Sequence, residues 1–137
     1  MFKDCIYFNV ATLDRMITKI WQDEFIKFAL SPSHGYLLFV LMEKPMLTQK
    51  ELSEIMELKA STITRFVDDL VKKGLIDKIG KGKVSTIKIS DAGKKMCKQI
   101  NRSTQLLLQQ MQEKIGKETF EEFVSLATSI KNTLQEK

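Results

Sequence analysis

The sequence predicts a mainly α-helical protein with one β-hairpin. Six segments of the 137-residue chain fit helices, whereas two short β-branched runs after Gly74 fit strands. Glycines in the segment 80–83 between these runs supply the positive φ that a hairpin turn needs. A chain of this length suits one domain, so we expect residues 1–137 to form a single unit.

Two helices open the chain. An apolar stripe predicts the first over roughly Asp4–Ala29. Its members are Leu13, Ile17, Ile20, Trp21 and Phe28. Ser31 followed by Pro32 is typical of an N-cap and a first helical position. The second helix should end before Pro45 and, because it is apolar nearly all round, should be the central buried helix.

A short helix is predicted next, because Thr48 and Glu51 form the capping-box pattern T-x-x-E. Leu47 before the cap and Leu52 inside the helix add a hydrophobic staple, which strengthens this helix start. A turn around residues 57–59 then separates this helix from the one that follows.

The following helix should run from about Ala60 to Lys73, and Gly74 is well placed to end it in a left-handed conformation. Its apolar face carries Ile63, Phe66, Val67 and Leu70. Its polar face carries Ser61, Arg65 and Lys72, flanked by Thr62 and Thr64.

The two strands should cover Leu75–Ile79 and Val84–Ile89, and Ser90 can then cap a long helix that reaches about Lys114. Gly116 interrupts the helical pattern before one more amphipathic helix. The apolar stripe of this last helix is Phe120, Phe123, Val124, Ala127, Ile130 and Leu134. Two short helices followed by a hairpin are the winged helix-turn-helix arrangement.

This order divides the chain by role. We expect a DNA-binding lobe at residues 31–90, flanked by dimerisation helices at residues 1–30 and 91–137. A small winged core cannot cover the broad apolar stripes of all the flanking helices, so the remaining apolar surface favours a homodimer.

Positive charge is concentrated in the middle of the chain. The overall composition, 43% hydrophobic and 28% charged, is that of a soluble protein with a net charge of +5. Residues 44–99 carry +6 of this charge and the remainder carries −1. This distribution favours a polyanionic partner such as double-stranded DNA, although lysine-rich solvated faces are also common.

The polar face of the second short helix predicts base reading, because the N-terminal residues of this helix meet base edges in a helix-turn-helix. The candidates are Ser61, Thr62, Thr64 and Arg65. Their hydroxyls permit close approach, and Arg65 can bond guanine O6 and N7 with two donors. The alternative is a solvated face on which Arg65 pairs with Asp68 or Asp69. The capped helix before it and the basic hairpin after it favour DNA contact.

Phosphate contacts are predicted in the hairpin and at the start of the support helix. The candidates are Lys78, Lys81, Lys83, Thr48 and Gln49. Lysine is a flexible point charge that suits phosphate contact better than base reading. The alternative is an ordinary exposed turn with solubilising lysines.

The sequence contains no pattern typical of catalysis or metal binding. Cys5 lies near a helix start, which lowers the pKa of a thiol, whereas Asp4 beside it raises that pKa. We therefore expect a partly buried inert thiol at Cys5, and a redox role is the alternative. Cys97 fits packing in the fifth helix. His34, the single histidine, fits a capping or surface role, because it has no metal-ligand spacing to either cysteine. We predict no cofactor, no metal and no enzymatic activity.

The start of the chain, MFKDCIYFNV, carries charges with no long apolar run behind them, unlike a signal peptide. The longest apolar run, Tyr36–Met42, is far too short to span a bilayer. We therefore expect a cytoplasmic protein with reduced cysteines and no membrane contact.

The chain resembles the MarR family of bacterial transcriptional regulators over nearly its whole length. The resemblance rests on LTQKELSEIMELKASTITRFVDDLVKKGLI at residues 47–76, on Leu30-Ser31, and on Ile89–Gly93, which is similar to the family's L-T-x-x-G after the wing. It implies a homodimer that binds a pseudo-palindromic operator, usually as a repressor. It also implies a ligand pocket between the dimer helices and the DNA-binding lobe, and release of DNA by small ligands or oxidants.

The wing departs from the family pattern. The family's wing holds an Asp-x-Arg motif whose arginine reaches into the minor groove, whereas DKIGKGKVSTIKIS has no arginine. We therefore expect Lys81 and Lys83 to anchor phosphates. The family's hydroperoxide-sensing branch has a reactive cysteine early in its first helix, but the spacing from Cys5 to Arg15 is longer here, so the resemblance does not extend to that role.

The leading prediction is a dimeric, sequence-specific DNA-binding regulator, a repressor released by a small ligand or an oxidant. The alternative is a winged-helix protein-interaction adaptor with weak or no DNA reading, which the arginine-free wing favours.

Overall fold

The structure, a computed structural model, describes residues 1–80 and 84–136. Within these ranges the six predicted α-helices and the two predicted strands follow one another in the predicted order, with one additional strand, which confirms the mainly α-helical winged helix-turn-helix fold. The helices are α1 (Ile6–Phe25), α2 (Pro32–Glu43), α3 (Gln49–Met56), α4 (Ala60–Lys72), α5 (Asp91–Ile115) and α6 (Lys117–Gln135). The strands are β1 (Met46–Thr48), β2 (Ile76–Ile79) and β3 (Thr86–Ile89).

The first helix is shorter than predicted. Short 3₁₀ turns at Phe2–Asp4 and Ile26–Phe28 flank α1, so the regular helix does not cover the whole of Asp4–Ala29. Ala29 closes the second turn with a left-handed φ of 54°. Alanine is the best helix former, so its identity gives no sign of this ending.

The N-terminus of α2 is capped as the sequence predicts. The backbone N–H of His34 donates to Ser31 Oγ over 3.3 Å, and the backbone N–H of Ser31 donates to His34 Nδ1 over 3.2 Å. The predicted capping role of His34 is therefore confirmed. Leu37, Leu38 and Leu41 are fully buried, which confirms α2 as the central helix.

The start of α3 is also the predicted capping box. Glu51 N donates to Thr48 Oγ1 and Thr48 N donates to Glu51 Oε1, both over 3.1 Å. Hydrogen bonding of the Glu51 carboxylate to the backbone N–H and then to the side chain of Thr48 lowers the pKa of this carboxyl. The predicted staple residues Leu47 and Leu52 are both buried.

The end of α4 is joined to the start of α5. Gly74 has a φ of 72°, and Leu75 N donates to Leu70 O over 3.0 Å, as in a Schellman motif. Ser90 Oγ donates to Gly74 O over 2.7 Å and accepts from Gly93 N over 3.0 Å. Ser90 therefore caps α5, as predicted, and also holds the C-terminus of α4 in place.

The sheet contains one strand more than predicted. Its order is β1-β3-β2, and both pairings are antiparallel. In register, Leu47 faces Ile87 and Ile76 faces Ile89, so four buried side chains lie on the inner face. The three residues of β1 are extended because β3 pairs with them, and a contact between such distant segments leaves no local pattern in the sequence.

Two compact units can be distinguished, residues 1–100 and residues 101–137. The fully buried side chains of the first unit include Phe25, Leu37, Leu38, Leu41, Leu52, Ile63, Val67, Leu70, Ile87 and Ile100. In the second unit, α6 exposes the large apolar side chains of Phe123, Val124, Leu126, Ile130 and Leu134. The start of α1 similarly exposes Ile6, Tyr7, Phe8, Val10, Leu13 and Met16.

No single helix in the described residues is both long and apolar enough to cross a membrane. The bent pair formed by residues 6–28 and 32–43 meets that criterion jointly, on length and composition alone.

Candidate nucleic-acid interface

The two faces of α4 are as different as its sequence predicts. Ile63, Val67 and Leu70 are fully buried, and burial of each such side chain stabilises the fold by about 1.5–3 kcal/mol. Three of the four predicted base-reading residues are exposed, namely Ser61, Thr64 and Arg65, and the fourth, Thr62, is half-buried. The helix is thus anchored by its apolar face and presents its N-terminal polar face outward.

Thr64 is tied to the neighbouring helix. Its Oγ1 lies 3.0 Å from Ala60 O and 3.2 Å from Gln49 Oε1. One hydroxyl has one proton to donate, and Gln49 Nε2 is buried without a partner among the described residues. Exchanging the amide oxygen and nitrogen of Gln49 resolves both facts, because the nitrogen then donates to Thr64 Oγ1 and the hydroxyl donates to Ala60 O. Thr64 and Gln49 therefore join the N-terminal parts of α3 and α4.

A notch of about 510 Å³ lies between the N-terminal parts of α3 and α4. It is lined by Gln49, Lys50, Ser53, Glu54, Ala60, Ser61, Thr64 and Lys78. Lys50 and Lys78 bring positive charge to it, and Glu54 brings negative charge. Sequence reasoning missed Lys50 and Ser53, although their place in the first turns of the capped support helix was a signal that could have identified them.

The predicted phosphate contacts differ in their surroundings. Lys78 on β2 is half-buried at the notch, whereas Gln49 is only 8% exposed and Thr48 is engaged in the capping box. Lys81 and Lys83, predicted for the tip of the wing, lie outside the described residues.

Arg65 is not paired with the acidic residues of its own helix. Asp69 Oδ2 lies 3.1 Å from His34 Nε2 on α2, and no ion pair involves Arg65 within residues 1–80 and 84–136. The alternative reading, in which Arg65 pairs with Asp68 or Asp69, is therefore wrong. The reason is tertiary, because packing of α2 against α4 gives Asp69 a partner 35 residues away in the sequence.

A second pocket, of about 550 Å³, lies among α1, α2 and α4. It is lined by Ile17, Thr18, Trp21, Gln22, Ser31, Pro32, Ser33, Tyr36 and Phe66. This set is aromatic and aliphatic with a few hydroxyl and amide groups, and it has no charged side chain among the residues described. Because the lining comes from three helices, spacing along the sequence does not reveal it.

The two cysteines are both free and differ in environment. Cys97 is buried, and burial raises the pKa of its thiol to about 11. Cys5 is exposed at the N-cap of α1, so the predicted partial burial of this thiol is wrong. Across the described residues, no three metal-ligating side chains lie together.

Thiol modification should distinguish the two cysteines. With a maleimide at pH 8, we expect one fast-reacting thiol per chain, because only an accessible thiolate is a good nucleophile. The fast phase should disappear in Cys5→Ser and persist in Cys97→Ser, as followed by mass spectrometry over time. Two equally fast phases in the folded protein would contradict these environments.

Comparison with known proteins gives one family and many similar folds. Residues 30–80 match the family model described as the MarR family. No curated protein matches the chain by sequence.

Solved structures are similar to this chain over nearly its whole length. A probable transcriptional regulator from Pseudomonas aeruginosa has a TM-score of 0.86 at 20% identity, with 95% of this chain and 99% of that chain covered. The DNA complex of MepR from S. aureus has a TM-score of 0.81 at 15% identity, with 97% and 99% covered. CouR from Rhodococcus jostii RHA1, bound to p-coumaroyl-CoA, has a TM-score of 0.81 at 18% identity, with 95% and 94% covered. These likenesses establish a shared fold.

Proposed function

We propose that this chain, whose residues 30–80 match the MarR family model, is a sequence-specific DNA-binding transcriptional regulator. In this proposal it acts in the cytoplasm as a homodimeric repressor on a pseudo-palindromic operator. The observation that carries the proposal is the outward polar face of α4, on which Arg65 is exposed and free of ion pairs with the described residues. An unpaired guanidinium can meet guanine O6 and N7 with two donors.

The notch between α3 and α4 supports a phosphate contact beside this face. Lys50 and Lys78 supply the positive charge, and Ser61 supplies a hydroxyl donor, whereas the Ser53 hydroxyl donates to Leu58 O. The buried Gln49 then acts on the DNA indirectly, because its amide holds Thr64 and thereby the relation of α3 to α4. A similar fold has been solved as a DNA complex, the MepR complex from S. aureus.

A homodimer explains the exposed apolar surface of the terminal helices. Contiguous apolar patches of this kind are uncommon on monomers and mark interaction sites. Two recognition helices related by a two-fold axis would read half-sites about 34 Å apart, one turn of DNA.

The pocket among α1, α2 and α4 supports regulation by a small molecule. Its lining includes Phe66 of α4, so a bound molecule would touch the recognition helix directly. The aromatic lining suits a planar apolar effector, and CouR is a similar fold with a bound small molecule. Oxidation of the exposed Cys5 is the second route by which DNA release could be triggered.

Selection of bound sequences from a random duplex pool tests the proposal. We expect recovery of one pseudo-palindrome, with its two halves centred about 10 base pairs apart. Sedimentation of the complex should give two chains per duplex. Recovery of no common sequence, together with no binding at low salt, would instead favour the protein-interaction adaptor.

The Lys78→Ala variant should weaken binding to the selected duplex and to random duplex equally. A bond to phosphate carries no sequence information, and removing one lysine–phosphate bond from each protomer of the dimer should reduce the slope of log affinity against log salt by about two. Fluorescence polarisation at several salt concentrations measures both effects. Lys3→Ala removes the same charge outside the notch and should leave the slope unchanged. A weaker affinity for the selected duplex alone would show that Lys78 reads bases.

A further inference from the structure

His34 connects the N-terminus of α2 to the recognition helix α4. Its Nδ1 lies 3.2 Å from Ser31 N and 2.6 Å from Ser31 Oγ, and its Nε2 lies 3.1 Å from Asp69 Oδ2. The imidazole also packs on the ring of Phe66, with the ring centroids 4.7 Å apart. The His34 side chain is 13% exposed. The imidazole is therefore held by two atoms of Ser31 at the start of α2 and by Asp69 and Phe66 on α4.

These bonds define the tautomer of the ring. A backbone N–H can only donate, so the bond from Ser31 N requires that Nδ1 be an acceptor. In the neutral ring the proton then lies on Nε2, which donates it to the Asp69 carboxylate. Ser31 Oγ can donate to Nδ1 while it accepts from His34 N, so each polar group at this junction has a partner of the correct kind.

The bond to His34 decides where the Asp69 carboxylate points. Arg65 and Asp69 lie four residues apart on α4, which is the spacing at which opposite charges on a helix attract each other. Within the described part of the chain, Asp69 bonds to His34 and Arg65 has no ion pair. If the bond to His34 were absent, the same carboxylate would be available to Arg65.

We propose that His34, on α2, is a positioning residue for base reading. It holds the Asp69 carboxylate of α4 by a hydrogen bond and so leaves the Arg65 guanidinium available for DNA. The inference rests on the proposed function, because it assigns to Arg65 a role in recognising DNA. In this role His34 itself contacts no base. It determines whether Asp69 pairs with Arg65, the residue that does contact a base.

The His34→Gln variant separates this role from helix capping. Glutamine three residues after Ser31 preserves the capping-box pattern, with the amide turned back to Ser31 N, but it no longer bonds to Asp69. Asp69 should then pair with Arg65. The ratio of affinities for the selected duplex and for random duplex should fall by about two- to fivefold, as expected for one such pair on each of two recognition helices.

A second substitution should restore selectivity if the carboxylate is the cause. Asp69→Asn alone should keep the wild-type selectivity, because its amide oxygen still accepts from His34 Nε2 and carries no charge to attract Arg65. The double variant His34→Gln/Asp69→Asn should recover the wild-type selectivity. A purely structural role of His34 would leave the double variant as unselective as His34→Gln. In an Arg65→Ala background, His34→Gln should have no further effect on selectivity.

Fluorescence polarisation on the full-length protein gives the affinities, and thermal unfolding confirms that each variant is folded. NMR of the DNA-free protein should show slower exchange of the Arg65 Nε–H in His34→Gln and wild-type exchange in the double variant. Unchanged selectivity in His34→Gln, or no recovery in the double variant, would overturn the inference while leaving the proposed function intact. A wild-type protein that prefers no sequence would overturn both.

Discussion

The Gly93→Ala variant should lose about 3 kcal/mol or more of its free energy of unfolding, the high end for an overpacked site. A Cβ at this position would overlap the carbonyl oxygen of Leu75 and lie 2.8 Å from Ile89 Cγ1. Leu75 cannot move away easily, because its carbonyl accepts from Ser90 N and its N–H donates to Leu70 O. The clash therefore falls on the junction where α4, the sheet and α5 meet.

Gly74→Ala is the matched control for this change. Gly74 has a φ of 72° but open space around it, so alanine there meets only the left-handed backbone penalty, about 1–2 kcal/mol. Urea unfolding followed by circular dichroism measures both variants. If Gly93→Ala and Gly74→Ala lose the same free energy of unfolding, the close approach of Leu75 O is not the reason for glycine at position 93. The result bears on function because the same junction holds the C-terminus of the recognition helix.

The Arg65→Ala variant should lose about 1–3 kcal/mol of binding free energy on each half of the selected duplex, the range for one good bidentate contact to guanine. The same change should cost much less on random duplex, where the arginine contributes mainly as a charge. The ratio of the two affinities should therefore fall sharply, and replacing the base pair opposite Arg65 should no longer matter to the variant.

Arg15→Ala on α1 removes the same charge from a different helix and should leave that ratio unchanged. Polarisation titrations of both variants on selected and random duplex, at one salt concentration, make the comparison. An equal loss for Arg65→Ala on the two duplexes would eliminate base reading by Arg65 and leave only an electrostatic contribution.

Most boundaries of the fold could be predicted because they depend on neighbouring residues. The Thr48–Glu51 box and the Ser31-Pro32 start each use groups within three residues of one another, and Gly74 ends α4 through its own backbone freedom. The strand β1 and the left-handed Ala29 were not predicted. No local pattern marks either feature. The strand β1 depends on pairing with the distant β3. At Ala29 a strong helix former adopts an unfavoured left-handed conformation.

In the candidate site, too, some features could be predicted from the sequence and others could not. The position of Arg65 on the outward face of α4 follows from helical periodicity, and the structure agrees. The pairing of Asp69 with His34 does not follow from helical periodicity, because periodicity alone places Asp69 next to Arg65. The burial of Gln49 could not be predicted from the sequence either, because it arises from the contact between α3 and α4.

By itself, the sequence determined the order of helices and strands, their caps and the face that α4 turns outward. These properties arise within a few residues, from hydrogen bonds to the nearest backbone groups and from the periodicity of apolar side chains. The tertiary structure alone decided which polar groups meet, as in the pairing of His34 with Asp69 across 35 residues and of Gln49 with Thr64 across 15 residues. Such partners are chosen when helices pack and bury their polar groups, because a buried donor or acceptor must then find a bond within the protein.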